Sequence, residues 1–185
     1  MNPIFLVVGP PAVGKSTACR ALAASFPKSL HIAVDDIRHM VVSGLTLPSA
    51  VWSDELMQQI TLARTSVAQM ALAYHDAGFV VVMDDFWDPH LAPDYAALFS
   101  CPQFHKIILL PSQEEAHRRN LHRSGESPAQ AYIDEGIRIV YEQLHTNLPH
   151  LAQAGWTVVD TTRLSVAETV TTLLELDSGG KQAEE

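Results

Sequence analysis

The chain has 185 residues, of which 47% are hydrophobic, and this length favours one domain with a sizeable core. Its formal net charge of −9 gives no general attraction for a polyanion and argues against long nucleic acid as a partner. No apolar run approaches the length that crosses a bilayer, and no basic segment precedes a long apolar stretch at the N-terminus. We therefore expect a cytoplasmic protein without a membrane partner.

A phosphate-binding loop follows the first apolar run, which covers residues 4–8. The loop consists of Gly9, Pro10, Pro11, Ala12, Val13, Gly14, Lys15 and Ser16, and Thr17 follows it in a predicted helix of residues 15–26. Its glycines allow backbone N–H groups to turn around a phosphate, Lys15 adds a positive charge, and the Ser16 hydroxyl suits Mg²⁺. The helix dipole favours the same anion. The motif predicts a nucleotide site with ATP and Mg²⁺ as cofactors.

A second short strand, residues 31–34, ends on the sequence Asp-Asp-Ile-Arg at positions 35–38. Open α/β sheets bind their ligands at the carboxyl ends of strands. Asp35 is our candidate general base, and Arg38, one helical turn further, would face the same space and clamp an anionic group of the acceptor. The alternative is that Asp35 or Asp36 only caps a helix.

A long helix begins after Ser53 and ends near Gly78. One face of it is predicted to be buried, with Leu56, Ile60, Ala63, Val67, Met70 and Tyr74.

The apolar strand of residues 79–83 then ends on Asp84 and Asp85. We assign Asp84, together with Ser16, to Mg²⁺, directly or through water, although the pattern leaves open which of the two aspartates faces the metal. Asp85 is assigned to the acceptor site, where Trp87, His90 and Tyr95 would form a compact pocket for a small hydroxyl compound. The alternative for the large aromatic residues after this strand is that they only pack the loop. A short helix is expected at residues 95–99.

A strand of residues 104–110 leads to a helix with a capping box at Ser112 and Glu115, which carries Arg118 and Arg119. Because residues 121–126 are polar and include a glycine, we predict a mobile lid over residues 118–128. Arginines on a lid neutralise the charge that develops during phosphoryl transfer and help to exclude water. The alternative is a solvated helix end whose cations favour the dipole.

The remaining elements complete the predicted fold. A helix begins at Ser127 and Pro128, with Ile133, Ile137, Val140 and Leu144 on its buried face. A fifth strand, residues 156–159, ends at Asp160, Thr161 and Thr162, and the last helix runs from a cap at Ser165 and Glu168 to about residue 176. We expect a disordered tail over residues 177–185. Five strands alternating with helices predict a single domain, residues 1–176: a three-layer α/β sandwich with a five-stranded parallel sheet, of the P-loop kinase type with a short lid.

Neither the cysteines nor the histidines show the spacing of a metal site. Cys19 and Cys101 lie far apart and are expected to be free thiols. The nine histidines are mostly expected at the surface, and the pairs five residues apart would not share a helix face.

Four motifs together resemble the kinase domain of phage polynucleotide 5′-kinase: the phosphate loop, Asp-Asp-x-Arg at 35–38, the strand into Asp84-Asp85, and Arg-Asn-x-x-Arg at 119–123. The chain is also similar to the wider group of small P-loop kinases that includes zeta toxins and chloramphenicol phosphotransferase. The likeness spans about residues 3–147. It implies that Asp35 is the base, that Arg38 contacts the acceptor, that Arg119 and the catalytic Arg123 contact the ATP phosphates, and that Thr161 lies beside the adenine.

Three functions are compatible with these residues. We favour an ATP-dependent kinase that phosphorylates a hydroxyl of a small metabolite, nucleotide-like compound or antibiotic. A 5′-hydroxyl polynucleotide kinase is the second hypothesis, weakened by the acidic charge, the four lysines and the lack of a companion phosphatase domain. The third is a nucleotide-gated regulatory or binding protein without an acceptor, which would not need the pair Asp35 and Arg38. The acceptor, the oligomeric state and the preference for ATP over GTP are not determined by the sequence.

Overall fold

A computed structural model describes residues 2–48 and 52–180 of the chain. The strands in this range are β1 (Ile4–Val8), β2 (Ser29–Ala33), β3 (Val80–Asp84), β4 (Phe104–Leu109) and β5 (Trp156–Val159). The helices are α1 (Lys15–Ala24), α2 (Val34–Arg38), α3 (Asp54–Asp76), α4 (Gln113–Ser124), α5 (Pro128–Gln153) and α6 (Val166–Gly180). A 3₁₀ helix, Ala92–Leu98, lies between β3 and β4. None of the helices in the described part of the chain has the length and apolar character needed to cross a membrane.

The five strands form one parallel sheet in the order β2-β3-β1-β4-β5. All five residues of the central strand β1 are buried, as expected for a strand covered on both faces. The chain builds β2 and β3 on one side of β1 and then crosses to β4 on the other side. Ligands of open α/β sheets bind at such a reversal, and the loop that follows β1 lies there. The predicted fold class is confirmed.

Helices cover both faces of the sheet. Phe5 of β1 shares a buried cluster with Leu22 of α1 and with residues of α6, while Leu6 packs on the opposite face with Val67 of α3 and with the 3₁₀ helix. The sandwich therefore has three layers.

The buried face of α3 differs from the predicted one near its C-terminal end. Met70 and Tyr74 are exposed, and Ala68 and Ala71 are buried in their place, together with Arg64. The small alanine side chains allow this part of α3 to lie close to the sheet. The row of buried residues therefore follows the helix period of about 3.6 residues instead of the predicted positions.

Four serines cap helices where the sequence predicts caps. The hydroxyls of Ser53, Ser112, Ser127 and Ser165 accept hydrogen bonds from backbone N–H groups three residues later. The carboxylate of Glu168 also accepts a hydrogen bond from the N–H of Ser165, which completes a reciprocal capping box. At Ser112 the reciprocal bond is missing, because Glu115 pairs with arginines and the Ser112 N–H donates to Thr162.

Two expectations about chain ends and loops are wrong. The segment 121–124, where the helix was expected to give way to a mobile segment, completes α4, and the lid over residues 118–128 stays a prediction. The buried side chain of Asn120 fastens this helix to α5 by donating to Gln130 O and Asp134 Oδ1. The last helix reaches Gly180 rather than residue 176, and the buried Asp177 lies 3.2 Å from Nε2 of His105. The rest of the expected tail, residues 181–185, lies outside the described residues.

Candidate active site

The phosphate-binding loop turns through three residues with positive φ angles. These are Gly9 (152°), Ala12 (61°) and Gly14 (94°). A Cβ atom at Gly9 would lie 2.4 Å from the carbonyl oxygen of Leu109, so the approach of β4 requires glycine here. Ala12 holds a left-handed conformation that costs about 1 kcal/mol or more outside glycine, a strain common at ligand sites. Among the residues that the structure describes, no side chain caps the first turn of α1, so its N–H groups can receive an anion.

The side chain of Lys15 donates hydrogen bonds to the backbone at the start of its own loop. Its Nζ donates to the carbonyl oxygens of Gly9, at 3.0 Å, and Pro10, at 2.8 Å. Burial lowers the pKa of Lys15, and the carboxylates of Asp84, Asp35 and Asp85 act in the opposite direction. The ammonium group of Lys15 therefore lies in the electrostatic field of three carboxylates at the carboxyl edge of the sheet.

Asp84 is the aspartate that faces the loop. Its Oδ1 accepts a hydrogen bond of 2.7 Å from Ser16 Oγ, and its backbone is paired in register with Val7 of β1. Asp85 points away, because successive residues leave a strand on opposite sides. A serine hydroxyl and a carboxylate in contact are hard oxygen donors of the kind that Mg²⁺ prefers, so these two residues fit the metal of a nucleotide complex.

Asp85 belongs to a buried ionic cluster centred on Arg64. The Nε of Arg64 donates to Asp85 Oδ2 at 2.6 Å, and its Nη1 lies 2.6 Å from Asp88 Oδ2 and 3.4 Å from Asp94 Oδ2. Tyr95 OH donates to the same oxygen of Asp85 at 3.0 Å. Burial raises the pKa of Asp85 to about 6, although Arg64 and Tyr95 oppose this shift. The expected role of Asp85 as an accessible acceptor ligand is therefore corrected: it is buried and fully engaged in the cluster.

The aromatic residues expected to line the acceptor pocket are part of the core. Trp87 is 1% exposed and Tyr95 is buried with it, in the cluster that contains Leu91 and Leu98. The assignment of Trp87 to acceptor binding is wrong, because its ring offers no surface to a ligand. Its backbone N–H donates to Gly9 O at 3.3 Å and so supports the loop instead.

Asp35 and Arg38 form the expected pair at the start of α2. Arg38 Nη1 lies 3.2 Å from Asp35 Oδ1, and the side chain of Asp35 is 60% exposed. Arg38 is 5% exposed, and its Nη2 donates to the carbonyl oxygen of Thr46. The N-cap of α2 is Ala33, so neither Asp35 nor Asp36 is the capping residue. Arg38 therefore contacts both Asp35 and the backbone of Thr46, and its assignment to acceptor binding stays a prediction.

A cleft of about 450 Å³ opens beside the loop, a size typical of ligand sites. It is lined by Val13, Gly14 and Thr17 on one side and by residues 161–166 on the other. Arg119 joins the two walls, because its Nη1 donates to Val13 O at 2.9 Å and its Nη2 to Thr161 O at 2.7 Å. The cleft thus brings the predicted residues Thr17, Arg119 and Thr161 together next to the loop.

The three arginines of α4 have different surroundings. Arg118 and Arg119 both pair with Glu115, and these hydrogen bonds lower the pKa of Glu115 to about 2. Arg123 is exposed in the last turn of α4, and within the described ranges no hydrogen bond or ion pair joins it to the loop. The structure therefore brings Arg119 to the phosphate-binding loop and does not bring Arg123 there.

Two residues of the site were missed from the sequence. Nε2 of His31, in β2, lies 2.6 Å from Asp84 Oδ2, on the side of the carboxylate opposite Ser16. A histidine inside a short apolar strand is the sequence feature that could have indicated this contact. Arg64 was overlooked although it lies four residues after Ile60, a spacing that places it on the buried face of α3.

Comparison with known families agrees with this geometry. The model of the AAA domain family AAA_33 matches residues 4–137, which include the phosphate-binding loop, Asp35, Asp84 and Arg119. The chain belongs to this family. Comparison with the curated proteins gives no match.

Several solved structures have the same fold as this AAA domain. A shikimate kinase from Bacteroides thetaiotaomicron has a TM-score of 0.68 and 16% identity over 94% of this chain and 97% of its own. A gluconokinase from Sinorhizobium meliloti 1021 has a TM-score of 0.66 and 15% identity, with 99% and 98% covered. The tunicamycin resistance protein of Deinococcus radiodurans has a TM-score of 0.66 and 17% identity, with 95% of each chain covered. At these identities the comparison establishes the fold, and the finer resemblance to polynucleotide kinase, zeta toxins and chloramphenicol phosphotransferase stays a prediction.

We predict that Lys15→Ala weakens nucleotide binding by about 10- to 100-fold, because one charge-assisted contact to phosphate is lost. Isothermal titration with Mg²⁺ and ADP measures the change. Lys28→Ala is the matched control, since Lys28 is exposed before the amino end of β2 and its loss should leave the affinity unchanged. Unchanged affinity in Lys15→Ala would remove the loop from the nucleotide site.

We predict that Arg64→Ala lowers the free energy of unfolding by about 3–5 kcal/mol, because three carboxylates lose their buried cation. Urea denaturation measures the loss. Burial raises the folded-state pKa of Asp85 to about 6, so this carboxyl is mostly neutral at about pH 5 and charged at about pH 8. The loss of unfolding free energy in Arg64→Ala should therefore be smaller at about pH 5 than at about pH 8. Arg138→Ala, which removes an exposed ion pair, should cost less than about 0.5 kcal/mol. Equal losses in the two variants would contradict the role of the cluster.

Proposed function

We propose that this AAA domain is an ATP-dependent kinase that transfers the γ-phosphate to a hydroxyl group of a small molecule. One observation carries the proposal: β2 ends with Ala33 in register with Asp84, and the helix that follows it holds an exposed carboxylate, Asp35. Asp84 in turn contacts Ser16 of the phosphate-binding loop. Phosphoryl transfer needs a bound triphosphate, a metal ion, and a group that accepts the proton of the acceptor. The kinases with the same fold are consistent with this chemistry.

Each residue has a distinct task in this proposal. The loop N–H groups and Lys15 bind the β- and γ-phosphates, and the nucleoside lies in the cleft between Thr17 and Thr161. Ser16 and Asp84 hold Mg²⁺, which neutralises charge on the phosphates when bound. Asp35 accepts the proton of the attacking hydroxyl, and Arg38 fixes the orientation of Asp35. Arg119 joins the loop to the nucleoside cleft, and Arg123 would have to move to reach the phosphates.

The charge around Asp35 indicates the class of acceptor. Each of the two buried arginines on this side already has a carboxylate next to it, Arg38 the exposed Asp35 and Arg64 three aspartates. An anionic acceptor would therefore meet Asp35 where these arginines of the described residues are already paired with carboxylates. Two like charges about 4 Å apart repel by about 4 kcal/mol near a protein surface. We propose that the acceptor is a neutral or amine-bearing alcohol.

Release of ADP in the presence of matched alcohols tests the proposal. Glucose and uridine serve as neutral probes, glucosamine as a cationic one, and gluconate and shikimate as anionic ones, with a 5′-hydroxyl oligonucleotide alongside. We expect stimulation by neutral or amine-bearing alcohols and none by the carboxylates. Stimulation by the carboxylates alone would contradict the charge argument, and stimulation by the oligonucleotide alone would favour a polynucleotide kinase. No stimulation across a wider library of alcohols would favour a nucleotide-gated binding protein.

We predict that Asp35→Asn lowers the rate of transfer by about 10²- to 10⁴-fold, because the amide cannot accept the hydroxyl proton. Nucleotide affinity should change little, since the side chain does not belong to the loop. Asp36→Asn removes the neighbouring exposed carboxylate and should keep most of the activity. Comparison of kcat and of ADP affinity in the three proteins checks both points, and full activity of Asp35→Asn would exclude Asp35 as the base.

A further inference from the structure

A cluster of three different metal-binding side chains lies directly beneath the phosphate-binding loop. Cys19 comes from α1, His31 from β2 and Asp84 from β3, and one ligand atom of each lies within 4.8 Å of the others. His31 Nε2 is already 2.6 Å from Asp84 Oδ2, and Cys19 Sγ lies 4.0 Å from the carbonyl oxygen of the adjacent Met83. The parallel register of β2 and β3 creates this arrangement, since it pairs Ala33 with Asp84 and places His31 two residues earlier on the same face.

The donor atoms suit zinc better than magnesium. Sulfur and imidazole nitrogen are ligands of Zn²⁺ and similar cations, whereas Mg²⁺ prefers oxygen alone. With zinc bonds of about 2.0–2.3 Å, tetrahedral ligand atoms lie about 3.3–3.8 Å apart. To bind zinc, ligand atoms as far apart as 4.8 Å must approach each other by about 1 Å. His31 Nε2 and Asp84 Oδ2, now 2.6 Å apart, must separate by about 1 Å. Side-chain rotations supply movements of this size.

The cluster is enclosed but not sealed. Cys19 is buried, while the side chains of His31 and Asp84 retain 14% and 8% exposure. A metal ion could therefore enter from the side of the loop and meet the thiol last. The thiol loses its proton to solvent when the sulfur–metal bond forms, and His31 binds through Nε2 with its proton on Nδ1.

We propose that Cys19, His31 and Asp84 form a binding site for Zn²⁺ or a similar borderline cation. The site shares Asp84 with Ser16, so an ion bound there competes with the loop for this carboxylate. If the protein is the kinase proposed above, Zn²⁺ inhibits it and competes with the Mg²⁺–nucleotide complex. Binding of the metal itself does not depend on that function.

Co²⁺ and Zn²⁺ added to the metal-free full chain test the site. Co²⁺ bound to a thiolate gives a charge-transfer absorption band, and we expect one equivalent per chain with this band in the parent protein. Cys19→Ser should remove the band and weaken Zn²⁺ binding at least about tenfold, and His31→Gln should weaken it similarly. Cys101→Ser is the matched control and should change neither, because Cys101 lies outside the cluster. Thermal denaturation without metal shows whether each variant is folded.

The outcomes separate the site from the kinase proposal. A normal band in Cys19→Ser, loss of the band in Cys101→Ser, or no thiolate band in the parent overturns the site. Mg²⁺–ADP should lower the apparent Zn²⁺ affinity if Asp84 is shared, and an unchanged affinity contradicts the sharing. A protein that binds Zn²⁺ through Cys19 but phosphorylates no alcohol keeps the metal site and loses the proposed function.

Discussion

The hydrogen bond between Ser16 and Asp84 joins the phosphate-binding loop to the neighbouring strand, and the rest of the site is arranged around it. It exists because β1 and β3 are adjacent and parallel, with Val7 in register with Asp84. The loop that leaves β1 therefore meets the carboxylate that ends β3. The same carboxylate contacts His31 of β2, so three consecutive strands of the sheet contribute to one small space. Changing the strand order would separate all of these groups.

Charge is distributed unevenly around this carboxylate. Lys15, the only lysine in the loop, serves the phosphate side, where the N-terminus of α1 adds its partial positive charge. On the side proposed for the acceptor, Arg38 pairs with the exposed Asp35, and Arg64 pairs with the buried Asp85. We therefore propose that the site attracts a nucleotide but has little attraction for an anionic acceptor. This separation links the buried ionic cluster to the proposed choice of substrate.

The sequence predicted what local spacing determines. The loop of residues 9–16, the pair Asp35 and Arg38 three residues apart, the serine caps and the parallel α/β fold all depend on neighbours in the chain. What depends on packing was missed: Arg64 meets carboxylates 21 to 30 residues away, and His31 meets Asp84 through strand register. Residue type alone could not separate a pocket-lining tryptophan from a buried one, as Trp87 shows. The end of α6 depends on a contact between Asp177 and His105.

A crystal structure with Mg²⁺ and the ATP analogue AMP-PNP tests the central claim most directly. The account predicts the γ-phosphate inside the loop of residues 9–16, and Mg²⁺ bound to Ser16 with Asp84 as a direct or water-mediated partner. It also predicts that the carboxylate of Asp35 faces the γ-phosphorus, with room for one hydroxyl group between them. A nucleotide bound elsewhere, or Asp35 turned away from the γ-phosphate, would contradict it.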